Sequence, residues 1–174
     1  MNTAKAWISV LEASYVLYLL PPHHQNFNKR LIKSPKLYFL DTGLACSLLG
    51  IQTAQQLATH YLRGNLFENL VVTEVLKHYY NLGQPAPIYF WQDKTGREVD
   101  LLIDHSSGLL PLEIKAGMTL TAEYFKQLTY WNSLSGQSPE RSYVLYSGPT
   151  TMATQQGTFM RLSDLETLLR QGKL

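Results

Sequence analysis

Two short turn sequences divide residues 88–116 into three predicted β-strands, and this division constrains the fold more than any other feature. The turns are Asp93-Lys94-Thr95-Gly96 and His105-Ser106-Ser107-Gly108, and both combine polar residues with a closing glycine, as hairpin turns do. The strands that they join are Ile88–Gln92, Arg97–Asp104 and Leu109–Ala116. We therefore expect three consecutive strands paired by tight turns.

Helical patterns lie on both sides of these strands. Apolar residues at helical spacing predict a helix from about Asn65 to Tyr80, and the later segments are predicted as the helix Thr121–Leu134, the strand Arg141–Ser147 and the closing helix Ser163–Arg170. With 174 residues, of which 45% are hydrophobic, the chain can bury a substantial core. This order of elements predicts an α/β or α+β sandwich.

The first 50 residues follow a different pattern. A helix over Ala4–Ala13 precedes two short strands, Val16–Leu20 and Lys36–Leu40, and Asp41 can cap a helix that ends near Gly50. A helix followed by two strands around a basic loop resembles the last helix and wing of a winged-helix unit. We therefore predict a partial winged-helix segment in residues 1–50 and a separate domain in residues 51–174.

The loop between these two strands is basic. No acidic residue occurs from Ala13 to Leu40, although the net charge of the whole chain is only +2, and the stretch contains Lys29, Arg30, Lys33 and Lys36. Such a field favours phosphate groups or an acidic partner, which makes these four residues candidates for binding nucleic acid. The alternative is an ordinary solvated basic loop.

Several classes of protein are excluded or disfavoured. The longest apolar run, Tyr15–Leu20, is too short to span a membrane, and the first residues lack the apolar stretch of a secretory signal. Cys46 is the only cysteine, so an internal disulfide is impossible and a reducing compartment is favoured. We expect a cytoplasmic protein without a membrane partner.

One glutamate occupies an unusual helical position. Val72, Val75 and Tyr79 follow Glu68 at helical spacing, so its carboxylate lies on or beside the buried stripe of the predicted helix. Burying a carboxylate is unfavourable unless a cation or hydrogen-bond donors meet it. The alternative is a glutamate at the edge of the stripe that reaches solvent or pairs with an arginine.

The strands add further charged side chains. Strict alternation places Glu98, Asp100, Leu102 and Asp104 on one face, with Asp100 in the middle of a strand, where aspartate is disfavoured. On the next strand Glu113 and Lys115 point together, away from the apolar face, and the hairpin allows Asp100 and Glu113 to converge. Carboxylates in this arrangement suit Mg²⁺ or Mn²⁺, and a neighbouring lysine can orient or deprotonate water. A purely structural ion-pair network in the sheet is the alternative.

These residues also carry a family resemblance. Glu68, Glu98-Val99-Asp100 and Glu113-Ile114-Lys115 resemble the active-site signature of the PD-(D/E)XK nuclease superfamily. More narrowly, Lys36–Leu44, Gly64–Asn69 and Gly96–Asp100 resemble the C-terminal domain of unknown function 4143 found in prokaryotic AAA+ ATPases. The resemblance covers roughly residues 3–135, and residues 136–174 carry no motif.

The resemblance implies a restriction-endonuclease-like core with a central mixed sheet flanked by helices. It implies that Asp100, Glu113 and the Ile114 carbonyl bind Mg²⁺ or Mn²⁺, that Glu68 reaches the ion directly or through water, and that Lys115 positions the attacking water. Gln127, followed by Tyr130 and Trp131, loosely resembles a glutamine motif of the nuclease branches related to RecB. An exposed helical glutamine is the alternative for Gln127.

The sequence departs from the ATPase family in one respect. No phosphate-binding Gly-x-x-x-x-Gly-Lys-[Ser/Thr] motif occurs, so we expect an ATPase domain to be missing here or supplied in trans. Three functions remain open at this point. They are a metal-dependent DNA phosphodiesterase, a catalytically silent module that binds nucleic acid or a partner and regulates an ATPase, and a degenerate fold that keeps its acids for stability.

Overall fold

The structure, a computed structural model, describes residues 2–24, 32–105 and 108–170, and a β-hairpin lies between the helices of its first part. Helix α1 (Asn2–Ala13) leads into the antiparallel pair β1 (Leu17–Leu20) and β2 (Lys36–Phe39). Asp41 then caps helix α2 as predicted, because its carboxylate accepts the N–H groups of Gly43 and Leu44. The helices that follow are α2 (Thr42–Leu48), α3 (Ala54–Thr59) and α4 (Arg63–Asn81).

A mixed six-stranded sheet forms the centre of the fold. In chain order its strands are β3 (Ile88–Gln92), β4 (Glu98–His105), β5 (Gly108–Lys115), β6 (Tyr143–Tyr146), β7 (Met152–Thr154) and β8 (Gly157–Arg161), and their spatial order is β3-β4-β5-β6-β8-β7. The pairs β5–β6 and β6–β8 are parallel, and the other neighbours are antiparallel. The predicted α/β class is therefore confirmed, with a mixed sheet flanked by helices.

Each face of the sheet has its own apolar core. On one face α4 packs against β4, β5 and β6 together with the closing helix α6 (Leu165–Arg170), and Leu20 and Tyr38 of the hairpin lie in the same core. On the other face α5 (Lys126–Ser135) buries Leu128 and Trp131. The hairpin and the sheet thus share one core. No helix in the described ranges is both long and apolar enough to cross a bilayer.

Two elements are missed by the sequence analysis, and one predicted helix differs at its start. The short helix α3 is not anticipated, although Thr53 and Gln56 form a capping box at its start. The predicted helix Thr121–Leu134 begins instead as a 3-10 helix over Ala122–Phe125, and only then continues as α5. The hairpin of β7 and β8 is also missed, because β7 is an exposed edge strand with no apolar alternation.

The predicted alternation along β4 is wrong at its centre. Tyr89 pairs with Leu102 and Trp91 pairs with Val99, so Phe90 of β3 stands opposite two residues, Asp100 and Leu101. This β-bulge reverses the faces beyond it. Leu102 consequently packs with Val99 in the core beside α5 and does not share the face of Asp100.

Asn69 on α4 holds the hairpin in place. Its side-chain oxygen accepts the Phe39 N–H at 2.8 Å, and its amide nitrogen donates to the Phe39 carbonyl at 2.9 Å and to the Thr42 hydroxyl at 2.8 Å. Asn69 is only 6% exposed, so water cannot readily replace these bonds.

We expect Asn69→Ala to lower the free energy of unfolding by about 2–3 kcal/mol, because it leaves the backbone groups of Phe39 without their partner. Urea denaturation followed by circular dichroism measures this loss. Asn81→Ala, at the exposed end of the same helix, is the matched control and should cost about 0.5 kcal/mol or less. Equal losses in the two variants would contradict the role assigned to Asn69.

Candidate metal centre

Four carboxylates meet where α4 crosses the sheet, and we call them the acid cluster: Glu68 on α4, Glu98 and Asp100 on β4, and Glu113 on β5. One oxygen from each of Glu68, Glu98 and Asp100 lies within 4.8 Å of the other two. These three side chains are half-buried, whereas Glu113 is only 3% exposed. The arrangement concentrates negative charge at a site with limited access to water.

Asp100 lies where the regular pairing of β4 with both neighbouring strands is interrupted. Pairing of β4 with β5 ends at Leu101 and Leu112, and beyond that point the Ile114 N–H donates to Asp100 Oδ2 at 2.8 Å. The side chain of Asp100 thus takes the place of a backbone acceptor. Removal from water raises the pKa of Asp100 well above its usual value, and the neighbouring charges of Glu113 and Glu68 raise it further.

Glu113 is the most buried member of the cluster. Its Oε1 accepts a hydrogen bond from Lys115 Nζ at 2.5 Å, but its Oε2 is buried without a hydrogen-bond partner. Burial raises the pKa of Glu113, and Lys115 opposes part of that shift. Burial also disfavours the charged form of Lys115, but the negative charges of Asp100 and Glu113 outweigh this effect and raise its pKa.

The hairpin supplies two more side chains to the cluster. Lys36 Nζ lies 3.0 Å from Glu68 Oε1 and also pairs with Glu98, and the Tyr38 hydroxyl donates to Glu68 Oε1 at 2.5 Å. Burial opposes the charge on Lys36, but Glu68 and Glu98 more than compensate and raise the pKa of Lys36 to about 12. Burial and Glu68 likewise raise the pKa of Tyr38. Both groups therefore act as hydrogen-bond donors at neutral pH.

The charges of the cluster do not balance when every acid is ionised. Among the described residues, the four carboxylates form ion pairs with two ammonium groups, those of Lys36 and Lys115. Four negative and two positive charges leave a formal charge of −2. A divalent cation would supply the missing charge, and carboxylate oxygens are the ligands that hard cations such as Mg²⁺ prefer. The partnerless Oε2 of Glu113 also fits a metal ligand.

The structure brings together most of the predicted site. Glu68, Asp100, Glu113 and Lys115 all belong to the cluster or pair with it, and Ile114 contacts Asp100 through its N–H group. The role predicted for the Ile114 carbonyl stays a prediction. Gln127 lies half-buried on α5, and no hydrogen bond or ion pair among the described residues joins it to the carboxylates.

The basic stretch divides between two environments. Lys33 is exposed, whereas Lys36 points into the acid cluster. Lys29 and Arg30 lie outside the described residues, so the nucleic-acid role predicted for all four residues stays a prediction.

Sequence reasoning omitted Glu98 and Tyr38 from the site and gave Lys36 a different role. Alternation already places Glu98 on the face of Asp100, and it also places Tyr38 on the face of Lys36, two residues earlier.

A cavity of about 460 Å³ adjoins the cluster and shares Lys36 and Glu68 with it. Its other walls are mainly apolar and come from β2, α2 and the first two turns of α4. A group bound there would touch the cluster from the side of the hairpin.

The comparisons confirm the narrower resemblance for residues 63–165 but not for Lys36–Leu44, and they extend it beyond residue 135. Residues 1–55 match a second domain of unknown function, DUF8612. Uncharacterized proteins of Mycobacterium tuberculosis and Mycobacterium bovis are each 32% identical over 118 residues, which is 68% of this chain and 26% of theirs. The chain thus spans about a quarter of the length of these curated relatives, and no solved structure matches. The domain of unknown function DUF4143 matches residues 63–165, which make up more than half of the chain and include all four members of the acid cluster, so the protein belongs to the DUF4143 family.

Proposed function

We propose that the acid cluster binds Mg²⁺ or Mn²⁺ and hydrolyses phosphodiester bonds in DNA, as the resemblance to PD-(D/E)XK nucleases implies. The observation that supports this most directly is the buried Oε2 of Glu113, which has no hydrogen-bond partner in a cluster with excess negative charge. A structural ion-pair network would be expected to satisfy such an atom.

Asp100, Glu113 and Glu68 would hold the metal, with Glu98 beside them as a further carboxylate. When bound, a divalent cation polarises a phosphoryl oxygen and lowers the pKa of a coordinated water. The Ile114 N–H keeps the Asp100 carboxylate in one orientation, because it occupies Oδ2 and leaves Oδ1 for another partner. When all four acids are ionised, the excess negative charge of the cluster would attract the ion.

Lys115 would act as a donor that positions the attacking water. The carboxylates around it raise its pKa, so it stays protonated at neutral pH and is poorly suited to act as a general base. Its contact with Glu113 at 2.5 Å fixes the ammonium beside the proposed metal ligand. A water bound to the ion next to Glu113 would therefore be oriented by a charged donor.

The wider context is also part of the proposal. The mycobacterial relatives are roughly four times longer than the matched segment, which leaves room in them for further domains. We propose that this domain works with an AAA+ ATPase, in cis or in trans, and that the hairpin derives from a winged helix.

Cleavage of supercoiled plasmid DNA in the presence of Mg²⁺ or Mn²⁺ tests the proposed activity. We expect metal-dependent nicking by the wild type and a loss of about 100-fold or more in Glu68→Gln, since Gln keeps the size of the side chain but removes a metal ligand. Glu74→Gln is the matched control, because Glu74 lies on the same helix in an exposed pair with Lys77. Absence of cleavage with either metal, or full activity in Glu68→Gln, would contradict the proposal.

A catalytically silent regulatory domain is the second candidate. The ion pairs of Lys36 favour it, since they neutralise part of the cluster without any metal. This function predicts DNA binding that weakens with salt and with charge reversal at Lys29, Arg30 and Lys33, and no cleavage. Binding that is indifferent to salt and to these changes would exclude it.

A further inference from the structure

The acid cluster receives one of its two lysines from a distant part of the sequence. Lys36 lies 32 residues before Glu68 and 62 residues before Glu98, and its ammonium contacts both carboxylates. Its side chain is only 25% exposed and passes near the ring of Phe90, with Nζ 5.4 Å from the ring centroid. The lysine therefore occupies a defined position inside the cluster and is not a solvated surface charge.

We propose that Lys36 is a built-in competitor of the divalent cation, so that the hairpin sets the metal affinity of the acid cluster. This inference rests on the proposed function. A cation bound to Glu68 with Glu98 beside it, as proposed above, would compete with Lys36 for these two carboxylates, and two positive centres at such short range repel each other strongly. The metal has to displace the ammonium before it can use these carboxylates.

The hairpin is fixed firmly enough to make this competition effective. Asn69 binds both backbone groups of Phe39, and Tyr38 is 5% exposed and donates to Glu68 beside Lys36. These contacts keep the ammonium at a high effective concentration next to the carboxylates. They also mean that a movement of β2 away from α4 would withdraw the competitor and strengthen metal binding.

Lys36 and the four carboxylates lie in two segments of the chain that match different families, which suits a regulatory role for this competition. Lys36 lies within residues 1–55, whereas the four carboxylates lie within residues 63–165. The N-terminal segment thus contributes a charge to a site that the other segment builds. Any partner that shifts the hairpin would change the metal affinity without touching a metal ligand.

Calorimetric titration of the whole chain with Mn²⁺ tests the competition. We expect Lys36→Met to bind Mn²⁺ about tenfold more tightly than the wild type, because it removes the positive charge and keeps an unbranched side chain. Lys36→Arg keeps the charge and should retain an affinity close to that of the wild type. Lys77→Met is the matched control, since Lys77 pairs with exposed Glu74 on the same helix and should leave the affinity unchanged.

The outcomes separate this inference from the function on which it rests. Equal or weaker Mn²⁺ binding by Lys36→Met, with binding by the wild type, would overturn the competition and leave the proposed metal site intact. Binding by Lys36→Met alone would support it in its strongest form. If neither protein binds Mn²⁺, the proposed function fails as well. If Lys36→Met does not fold, Lys36→Gln replaces it in the same titration.

Discussion

Asp100→Asn is expected to raise the melting temperature of the metal-free protein and to remove the further rise that Mn²⁺ produces in the wild type. The pKa of Asp100 is raised by burial and by Glu113 and Glu68, so its charge opposes folding above that pKa. Asparagine removes the charge and can still accept the Ile114 N–H. We expect a gain of about 1–2 kcal/mol, or roughly 2–8 °C.

The direction in which the stability gain of Asp100→Asn changes with pH provides a control. A carboxylate whose pKa is higher in the folded than in the unfolded chain stabilises the fold at low pH, and this stabilisation is lost as the pH rises through the folded-state pKa. The gain in Asp100→Asn should therefore be present at pH 8 and shrink toward pH 4. A variant that is less stable than the wild type at pH 8, or that keeps the full Mn²⁺ response, would contradict the assignment of Asp100.

Gly157→Ala is expected to cause the second large effect, a loss of about 2–4 kcal/mol in the free energy of unfolding. Gly157 begins β8 with a φ of +141°, and an added Cβ would lie 2.4 Å from the Ser142 carbonyl oxygen and 2.7 Å from Phe125 Cε1. Since the Ser142 contact is with backbone, a rotamer change cannot relieve it. Urea denaturation followed by tryptophan fluorescence measures the loss.

Gly83→Ala separates the cost of backbone conformation from the cost of the clash. Gly83 also has a positive φ, +68°, but no heavy atom lies within 4 Å of an added Cβ. Its substitution should cost about 1 kcal/mol, which is the conformational part alone. If the two variants lose equal stability, the close approach of β8 to Ser142 does not contribute to the stability loss of Gly157→Ala.

Regular patterns made parts of the fold predictable. The apolar spacing around Val71, Val72 and Val75 identified α4 because one face of that helix is buried against the sheet. The strand Ile88–Gln92 was predicted with its observed bounds, since prolines precede it and a turn follows it. In both cases the local sequence and the tertiary packing require the same structure.

The β-bulge could not be predicted in this way. In this bulge Asp100 and Leu101 both stand opposite Phe90. A bulge requires no particular residue at these positions, so the sequence does not signal it. Alternation therefore assigned Leu102 to the wrong face. The hydrogen bond from Ile114 to Asp100 forms where the pairing of β4 with β5 has ended, and no local pattern encodes it.

The site was predicted only where its residues are close in sequence or share a motif. Glu113 and Lys115 are two residues apart on one strand, so alternation alone brings them together. Lys36 reaches its partners only because the hairpin packs on α4, a contact that no local pattern encodes. Its position in an acid-free stretch predicted a contact with phosphate groups or an acidic partner, whereas the structure shows it paired with two glutamates of the same chain.

Binding of Mn²⁺ followed by electron paramagnetic resonance tests the central claim, that the acid cluster is a divalent-cation site. With the protein in excess, we expect the signal of free Mn²⁺ to fall to a level that corresponds to one bound ion per chain. We also expect Mg²⁺ in excess to restore that signal. The full signal of the free ion in the wild type and in Lys36→Met alike would show that the four carboxylates do not form a metal centre.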